Sequence, residues 1–341
     1  MRITFVTLHD VKIPPQGYGA IDVLLFDYYN LLKEAGHYVS FISEQSSENL
    51  VSSVNREKPD VVYLIVMGHV QLAPMFESPV VILASPNPYQ ARYRYKNSSD
   101  PFYKDLFLPT VEQLKGIDKC YVFSLSTAIG EAYEVHGVPR DRIIFVSNWC
   151  NVEAFATSPA PSKKDTAICL GRIDQRKRQE YVLATGRKVH FVGPVVPPQT
   201  SLKNEGCSEM LYKLIRTHPE ALGSWSRHEV HSKLNEYAAM VNVSTDEAHC
   251  CANMEGLAAG LSLVVSNANL PHFDSSLPFI FKVSEQDILD PQLLGQIIDE
   301  AIRKAAKWRK EPRDYCRENF STQKVISEHI RVFENLLAKT G

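Results

Sequence analysis

RITFVTLHD, residues 2–10, and IPPQGYGAIDVLLFDYYNLLKEAGHYVSFIS, residues 13–43, decide the fold of this chain. The first stretch reads as a short buried strand. In the second, Gly17 and Gly19 bracket Tyr18, and Ile21, Leu24, Leu25, Tyr28, Leu31 and Leu32 recur at helical spacing up to a glycine stop at Gly36. Residues 39–42 form the next strand. Strand, glycine loop, helix and strand in that order open a parallel βαβ unit. A glycine loop lets backbone approach a phosphate or sugar closely, and it serves equally as a tight turn with no ligand. The nicotinamide-binding pattern GxGxxG is not met, because Asp22 stands at its third glycine position.

The alternation continues along the chain. Residues 60–67 (DVVYLIVM) and 79–84 (PVVILA) read as strands buried on both faces, and 119–123 and 143–146 complete a first parallel sheet. ATSPAPSKKD, 156–165, reads as a linker. A second domain then starts with a strand at 166–170, followed by strands near 189–192, 240–243 and 263–265. At 341 residues the chain is long enough for two α/β domains with separate cores. We therefore expect an α/β fold of two domains, 1–155 and 165–320, with a last helix at 323–339.

Bulk properties exclude several classes. A net charge of −2 argues against a nucleic-acid binder, which carries a basic surface excess. Seven cysteines rule out a complete internal disulfide framework, and with no visible signal peptide the reading is reduced thiols and a cytoplasmic location. The apolar runs are of strand length, so no transmembrane segment is expected, which leaves peripheral membrane contact open.

Chemistry concentrates in the second half. EAHCCANME, residues 247–255, continues as GLAAGLSLVVSN: a loop carboxylate, a helix carrying a second carboxylate, a glycine stop and a buried strand. A helix start attracts anions through its amides and dipole, so amides beside Glu247 and Glu255 suit a ligand with both phosphates and hydroxyls. Solvated helix-flanking charges are the alternative. Upstream, Arg172 and Lys177 in RIDQRKR lie at a strand end, where Arg binds phosphate oxygens bidentately and Lys adds a compact charge. Arg176 and Arg178 read as an exposed basic helix start. No Asp-x-Asp element is present, so phosphates here would be met by these fixed cations and no metal is expected.

Taken in order, these segments resemble retaining glycosyltransferases of family four, which have the GT-B fold of two Rossmann-like doubly wound domains facing across a cleft. The resemblance rests on PPQGYGAID (14–22) with its helix, GHYVSF (36–41), SNWCNVEAF (147–155), AICLGRIDQRKRQEYVLAT (167–185) and the paired glutamates. It implies that a UDP- or GDP-sugar is the donor and a carbohydrate or glycoconjugate the acceptor. Arg172 and Lys177 fall at the family's phosphate-binding positions, with the Gly17–Tyr18–Gly19 loop and His249, Cys250, Cys251 and Ala252 near the donor. Glu255 falls at the ribose-binding glutamate and Glu247 beside the donor sugar, where we assign it transition-state positioning, not a covalent nucleophile. Gly193, Trp225 and Arg227 fall in the neighbourhood of the base. The last helix resembles the family's terminal helix, which returns to the first domain; a plain surface helix is the other reading.

Two departures stand out. The family's Phe-Gly pair is replaced by His249-Cys250, and Ser85 stands about where a histidine near the transferred sugar is usual, with Asn87 close by. His69 is a substitute for that histidine, or else a structural residue at a strand end. The aromatic, basic run 89–103, which holds Arg92, suits an acceptor surface or a plain surface loop. Cys250 and Cys251 are either activated by the helix start or buried and inert, and zinc binding is a poor reading because no second cysteine pair has ligand spacing. Two rival functions remain: a catalytically silent nucleotide-sugar binder, and a nucleotide-sugar epimerase or hydrolase on the same fold.

Overall fold

The computed structural model describes residues 1–7, 20–85, 87–96, 98, 100–156, 162–198 and 207–340. The chain divides into two compact units, Met1–Asn148 with Thr322–Gly341, and Trp149–Ser321. Each is built on a six-stranded sheet whose paired strands all run parallel.

In the first unit the strands are β1 (Arg2–Val6), β2 (Tyr38–Ile42), β3 (Val61–Leu64), β4 (Val80–Ser85), β5 (Cys120–Ser124) and β6 (Ile143–Phe145), in the order β2-β1-β3-β4-β5-β6. The helix Ala20–Glu34 lies between β1 and β2 and buries Leu25, Tyr28 and Leu32, the stripe that its sequence spacing dictates. The helix Thr322–Thr340 belongs to this unit. Its Phe333 ring stacks on Phe123 of β5 at 5.7 Å and its His329 ring meets Tyr28 at 5.5 Å, so the last helix covers the sheet. The strand expected over 60–67 is shorter: it ends at Leu64, and a 3-10 helix, Met67–Met75, follows.

The second unit contains β7 (Lys163–Leu170), β8 (Val189–Val192), β9 (Ala221–Gly223), β10 (Tyr237–Asn242), β11 (Ser262–Ser266) and β12 (Ile280–Val283), in the order β12-β11-β10-β7-β8-β9. Alternate residues feed two cores. Ile168, Met240, Leu263 and Val265 pack on one face, and Ala167, Cys169, Ala239, Val241 and Val264 on the other. That alternation is the mark of a sheet covered on both sides. The segment 149–155, expected in the first domain, belongs here instead: Cys150, Val152 and Phe155 are part of the second unit's core. Part of the expected linker, 157–161, lies outside the described residues, and β7 already begins at Lys163.

Both sheets reverse their strand order once, between β1 and β3 in the first and between β7 and β10 in the second. In open α/β sheets, ligands bind beyond the carboxyl ends of the strands at such reversal points. For the second unit, that places a site where β7 and β10 end.

Candidate functional site

At the end of β7 the backbone turns through Gly171, Arg172 and Ile173. Three strand ends meet here: the Gly171 amide donates to Val192 O at 2.9 Å, and the Gly193 amide donates to Gly223 O at 2.9 Å. The close approach explains the glycine after β8. Gly193 has φ +147°, and a Cβ there would lie 1.9 Å from the Gly171 carbonyl oxygen. Gly193 therefore supports the Gly171–Arg172 turn from beneath.

The loop after β10 approaches this turn. Lys177 Nζ donates to Glu247 Oε1 at 2.6 Å, and Arg176 Nη1 lies 3.1 Å from the same oxygen. Arg176 Nη1 also donates to the Asp246 carbonyl at 2.8 Å, and the Thr245 amide donates to Arg176 O at 2.9 Å. These side chains are largely buried, with 10% of Arg176, 12% of Lys177 and 8% of Glu247 exposed. Burial pushes the Glu247 carboxyl upward, but Lys177 and then Arg176 outweigh it and hold it below the usual carboxylate range. Burial likewise works against the Lys177 ammonium, and Cys250 and Glu247 overcome it to raise its pKa. Arg172 is half-exposed and pairs at 3.2 Å with Asp174, whose Oδ1 also accepts the Lys177 amide at 2.9 Å. Three cations therefore face two carboxylates, a local excess of positive charge at the strand end.

Glu255 lies on the helix Cys251–Ala258, four residues past its start, and its Oε1 accepts from Arg227 Nη1. Arg227 opens the helix Arg227–Lys233, whose capping box of Ser226 and Glu229 fixes that helix start, and its Nη2 lies 3.0 Å from His231 Nε2. Trp225 is buried in the core, with its ring 6.1 Å from Tyr237 and the Lys233 ammonium 5.6 Å from its centroid. Ala252 falls in the first turn of the Cys251 helix, which begins with no side-chain cap. Cys250 Sγ accepts from Asn242 Nδ2 at 3.1 Å and lies 3.7 Å from Lys177 Nζ. Burial pushes both the Cys250 and the Cys251 thiols up, which selects the inert reading over activation by the helix start.

His249 packs among aromatic rings. Its ring stacks on His272 at 4.4 Å and packs edge-on against Phe273 and Phe320, so it fills an aromatic slot in the core. Burial drives its pKa down, with His272 as the lesser cause, and burial brings His272 down to about 4. His249 is thus a neutral ring packed among aromatic side chains.

Sequence reasoning missed three features. Arg176 and Arg178 were expected to be exposed. Arg176 is instead buried against Glu247, and Arg178 adopts φ 56° and pairs with Glu285 through contacts of 2.8–3.0 Å. The third feature is a buried polar network beneath the loop. Asn253 Nδ2 donates to Asn269 Oδ1 at 2.8 Å, Asn242 Nδ2 to Asn253 Oδ1 at 3.1 Å, and Ser266 Oγ to Ser244 O at 2.6 Å. Such a network anchors the β10 loop because any broken link would leave a buried polar group unpaired. Its only sequence trace is asparagine at strand ends and in a helix, where it is otherwise unfavoured.

In the first unit, the Gly17–Tyr18–Gly19 loop lies outside the described residues. His69 sits early in the Met67–Met75 helix, half-buried, with Nδ1 unpaired among the described residues; burial lowers its pKa. Ser85 is 1% exposed, and its hydroxyl is engaged by Gln90 and, at 3.1 Å, by Tyr133. It is a buried residue whose hydroxyl is already hydrogen-bonded within the first unit. Asn87 caps the 3-10 helix Pro88–Tyr95 by accepting the Tyr89 amide at 3.0 Å, which occupies its side-chain oxygen. Arg92 is exposed and lies over the Tyr89 ring at 5.2 Å.

No family model and no curated protein sequence matches the chain. Solved structures do. Anabaena HepE in complex with UDP superposes with a TM-score of 0.74 at 14% identity, over 98% of this chain and 100% of that one. Sucrose-phosphate synthase from Thermosynechococcus elongatus gives 0.74 at 15% identity, over 99% of each chain. A glycosyltransferase from Rickettsia africae gives 0.69 at 14% identity, over 98% of each. The chain has the GT-B fold. At such identities the likeness establishes the architecture, and the chemistry rests on this chain's own residues.

Proposed function

We propose that the protein is a retaining, metal-independent glycosyltransferase that moves a hexose from a UDP- or GDP-sugar to a carbohydrate or glycoconjugate hydroxyl. One observation carries the reading: Arg172, Arg176 and Lys177 gather at the reversal point of the second sheet beside Glu247, with Glu255 one helix turn beyond. In the reaction, the anomeric C–O bond to the diphosphate breaks, the acceptor oxygen bonds to the anomeric carbon on the same face, and its hydroxyl proton passes to an oxygen of the nucleoside diphosphate as that group leaves. Arg172 and Lys177 offset the charge that grows on the leaving diphosphate. Glu255 accepts from the ribose hydroxyls, exchanging Arg227 for them. Glu247 borders the transferred sugar and positions it. Arg92 is the remaining acceptor-side candidate in the first unit. UDP is the first base to test, since HepE is known in complex with UDP, with UDP and glucose, and with UDP-glucose.

The test incubates UDP-glucose and GDP-mannose with the protein and a panel of sugar acceptors, with chelator present, and reads products by proton NMR. A glycoside with the donor's anomeric configuration is the expected product. An inverted glycoside would refute retention. Donor converted with no acceptor present would favour an epimerase or hydrolase, and donor bound but never consumed would favour the silent binder.

A further inference from the structure

Glu247 Oε1 receives two cations of different character. Arg176 is tied to the loop that carries Glu247: its guanidinium also donates to Asp246 O at 2.8 Å, and its own carbonyl accepts the Thr245 amide at 2.9 Å. Lys177 is not so tied. Its ammonium sits on a flexible stem, and among the described residues its other polar partner is the soft Cys250 sulfur at 3.7 Å. A dianionic group arriving at the strand end therefore draws Lys177 and leaves Arg176 in place. We infer that Arg176 is a positioning residue that holds Glu247 ionised and oriented when Lys177 transfers to the donor diphosphate. The inference rests on the donor assignment above and adds a residue to it.

The groups facing Glu247 from neighbouring elements make this specific. Arg176 and Lys177 come from the turn after β7, Cys250 and Cys251 from its own loop and helix start, and His272 from the turn Leu270–His272, with His249 stacked behind it. His249 and His272 are both held neutral by burial, and both cysteines remain thiols at neutral pH. Once Lys177 leaves, Arg176 is the one remaining fixed cation among these groups. Without it, a carboxylate that is 8% exposed would be left with no counter-charge and would take up a proton.

The experiment is calorimetric titration of UDP-glucose and UDP into wild type, Arg176→Met and Arg176→Lys, in buffers of different ionisation enthalpy. In wild type, binding should release or take up little proton near neutrality. In Arg176→Met, we expect binding at about pH 8 to weaken by about tenfold or more, to recover toward about pH 6, and to be accompanied by uptake of about one proton. Arg176→Lys should restore the wild-type profile. A purely structural role would lower thermal stability in Arg176→Met with no proton uptake and an unchanged pH profile, and that result would overturn the inference, as would failure of Arg176→Lys to rescue. Should Arg176→Met not fold, the Arg176→Lys and Arg176→Gln pair reads the same pH profile. Absence of nucleotide binding by wild type would refute the donor assignment itself, and the inference with it.

Discussion

Replacing Glu247 by Gln removes one charge and almost no volume, so its effect can be worked from the ion cluster alone. Gln keeps an oxygen that can accept from Arg176 or Lys177, so the hydrogen bond survives and the counter-charge is lost. Removing one partner of a buried pair costs about 3–5 kcal/mol. Here the two stranded cations are 10% and 12% exposed, so solvent relieves them little. Lys177 has an escape: it can shed its proton, at about 1.36 kcal/mol per unit from an ordinary pKa near 10.4, or about 4.6 kcal/mol at pH 7. Arg176 has none. With the retained hydrogen bond set against these, we expect a loss of about 3–4 kcal/mol at pH 7. Urea unfolding followed by tryptophan fluorescence is the assay. All three tryptophans, Trp149, Trp225 and Trp308, lie in the second unit, so the signal reports on the unit that carries the cluster. The sign with pH is fixed. In wild type, the raised Lys177 pKa gives stability that is full below about 10.4 and is lost as pH rises through the folded value; the lowered Glu247 pKa gives stability that is full above about 4.3 and is lost as pH falls. In Glu247→Gln, Lys177 should instead have a depressed folded pKa and become more stabilising as it deprotonates, so the gap to wild type should narrow toward about pH 10. A loss below about 1 kcal/mol, unchanged between neutral and alkaline pH, would refute the reasoning.

Three further outcomes follow from the geometry. Gly193→Ala places a Cβ 1.9 Å from Gly171 O at φ +147°, so the two strand ends must separate; we expect a loss of about 2–4 kcal/mol by urea melt together with weakened donor binding, and a change within error would contradict the close approach. His272 is held by burial at about 4, below its unfolded value near 6.5, so its contribution is full above about 6.5 and is lost as pH falls toward about 4. In His272→Phe the acid limb of the stability profile over that window should be shallower, and an unchanged slope would show that the histidine does not titrate there. The thiols of Cys250 and Cys251 should resist iodoacetamide in the native protein and react once it is unfolded; rapid native alkylation at either position would show an activated thiolate.

The architecture was legible because its signals are local. A buried strand, a helical apolar stripe and a glycine stop fix β1, the helix Ala20–Glu34 and β2 from periodicity alone, and the core strands β3, β4, β10 and β11 stand out as apolar runs. The edge strands β9 and β12 were not found. The first has only Ala221–Gly223, and the second pairs on one side alone, so neither needs an apolar run. The paired glutamates could be placed, one in a loop and one in a helix, because the glycine at 260 and the following strand bracket them. What the sequence hid is which of several adjacent cations turns inward. In RIDQRKR, Arg176, Lys177 and Arg178 are chemically alike, yet the first two turn onto Glu247 while Arg178, left-handed at φ 56°, turns onto Glu285. Pattern carries no such backbone detail. The resemblance alone places His249 near the donor; its packing, stacked on His272 in an aromatic slot as a neutral ring, is likewise backbone and packing detail that pattern does not carry.

The most direct measurement is a calorimetric binding panel of UDP, GDP, ADP, their glucose and mannose conjugates, and NAD, with chelator present, on wild type, Arg172→Ala and Glu255→Ala. The account predicts selective binding of a UDP- or GDP-sugar by wild type and a loss of about tenfold or more in each variant. Binding of NAD, binding of nothing in the panel, or equal donor affinity in all three proteins would contradict it.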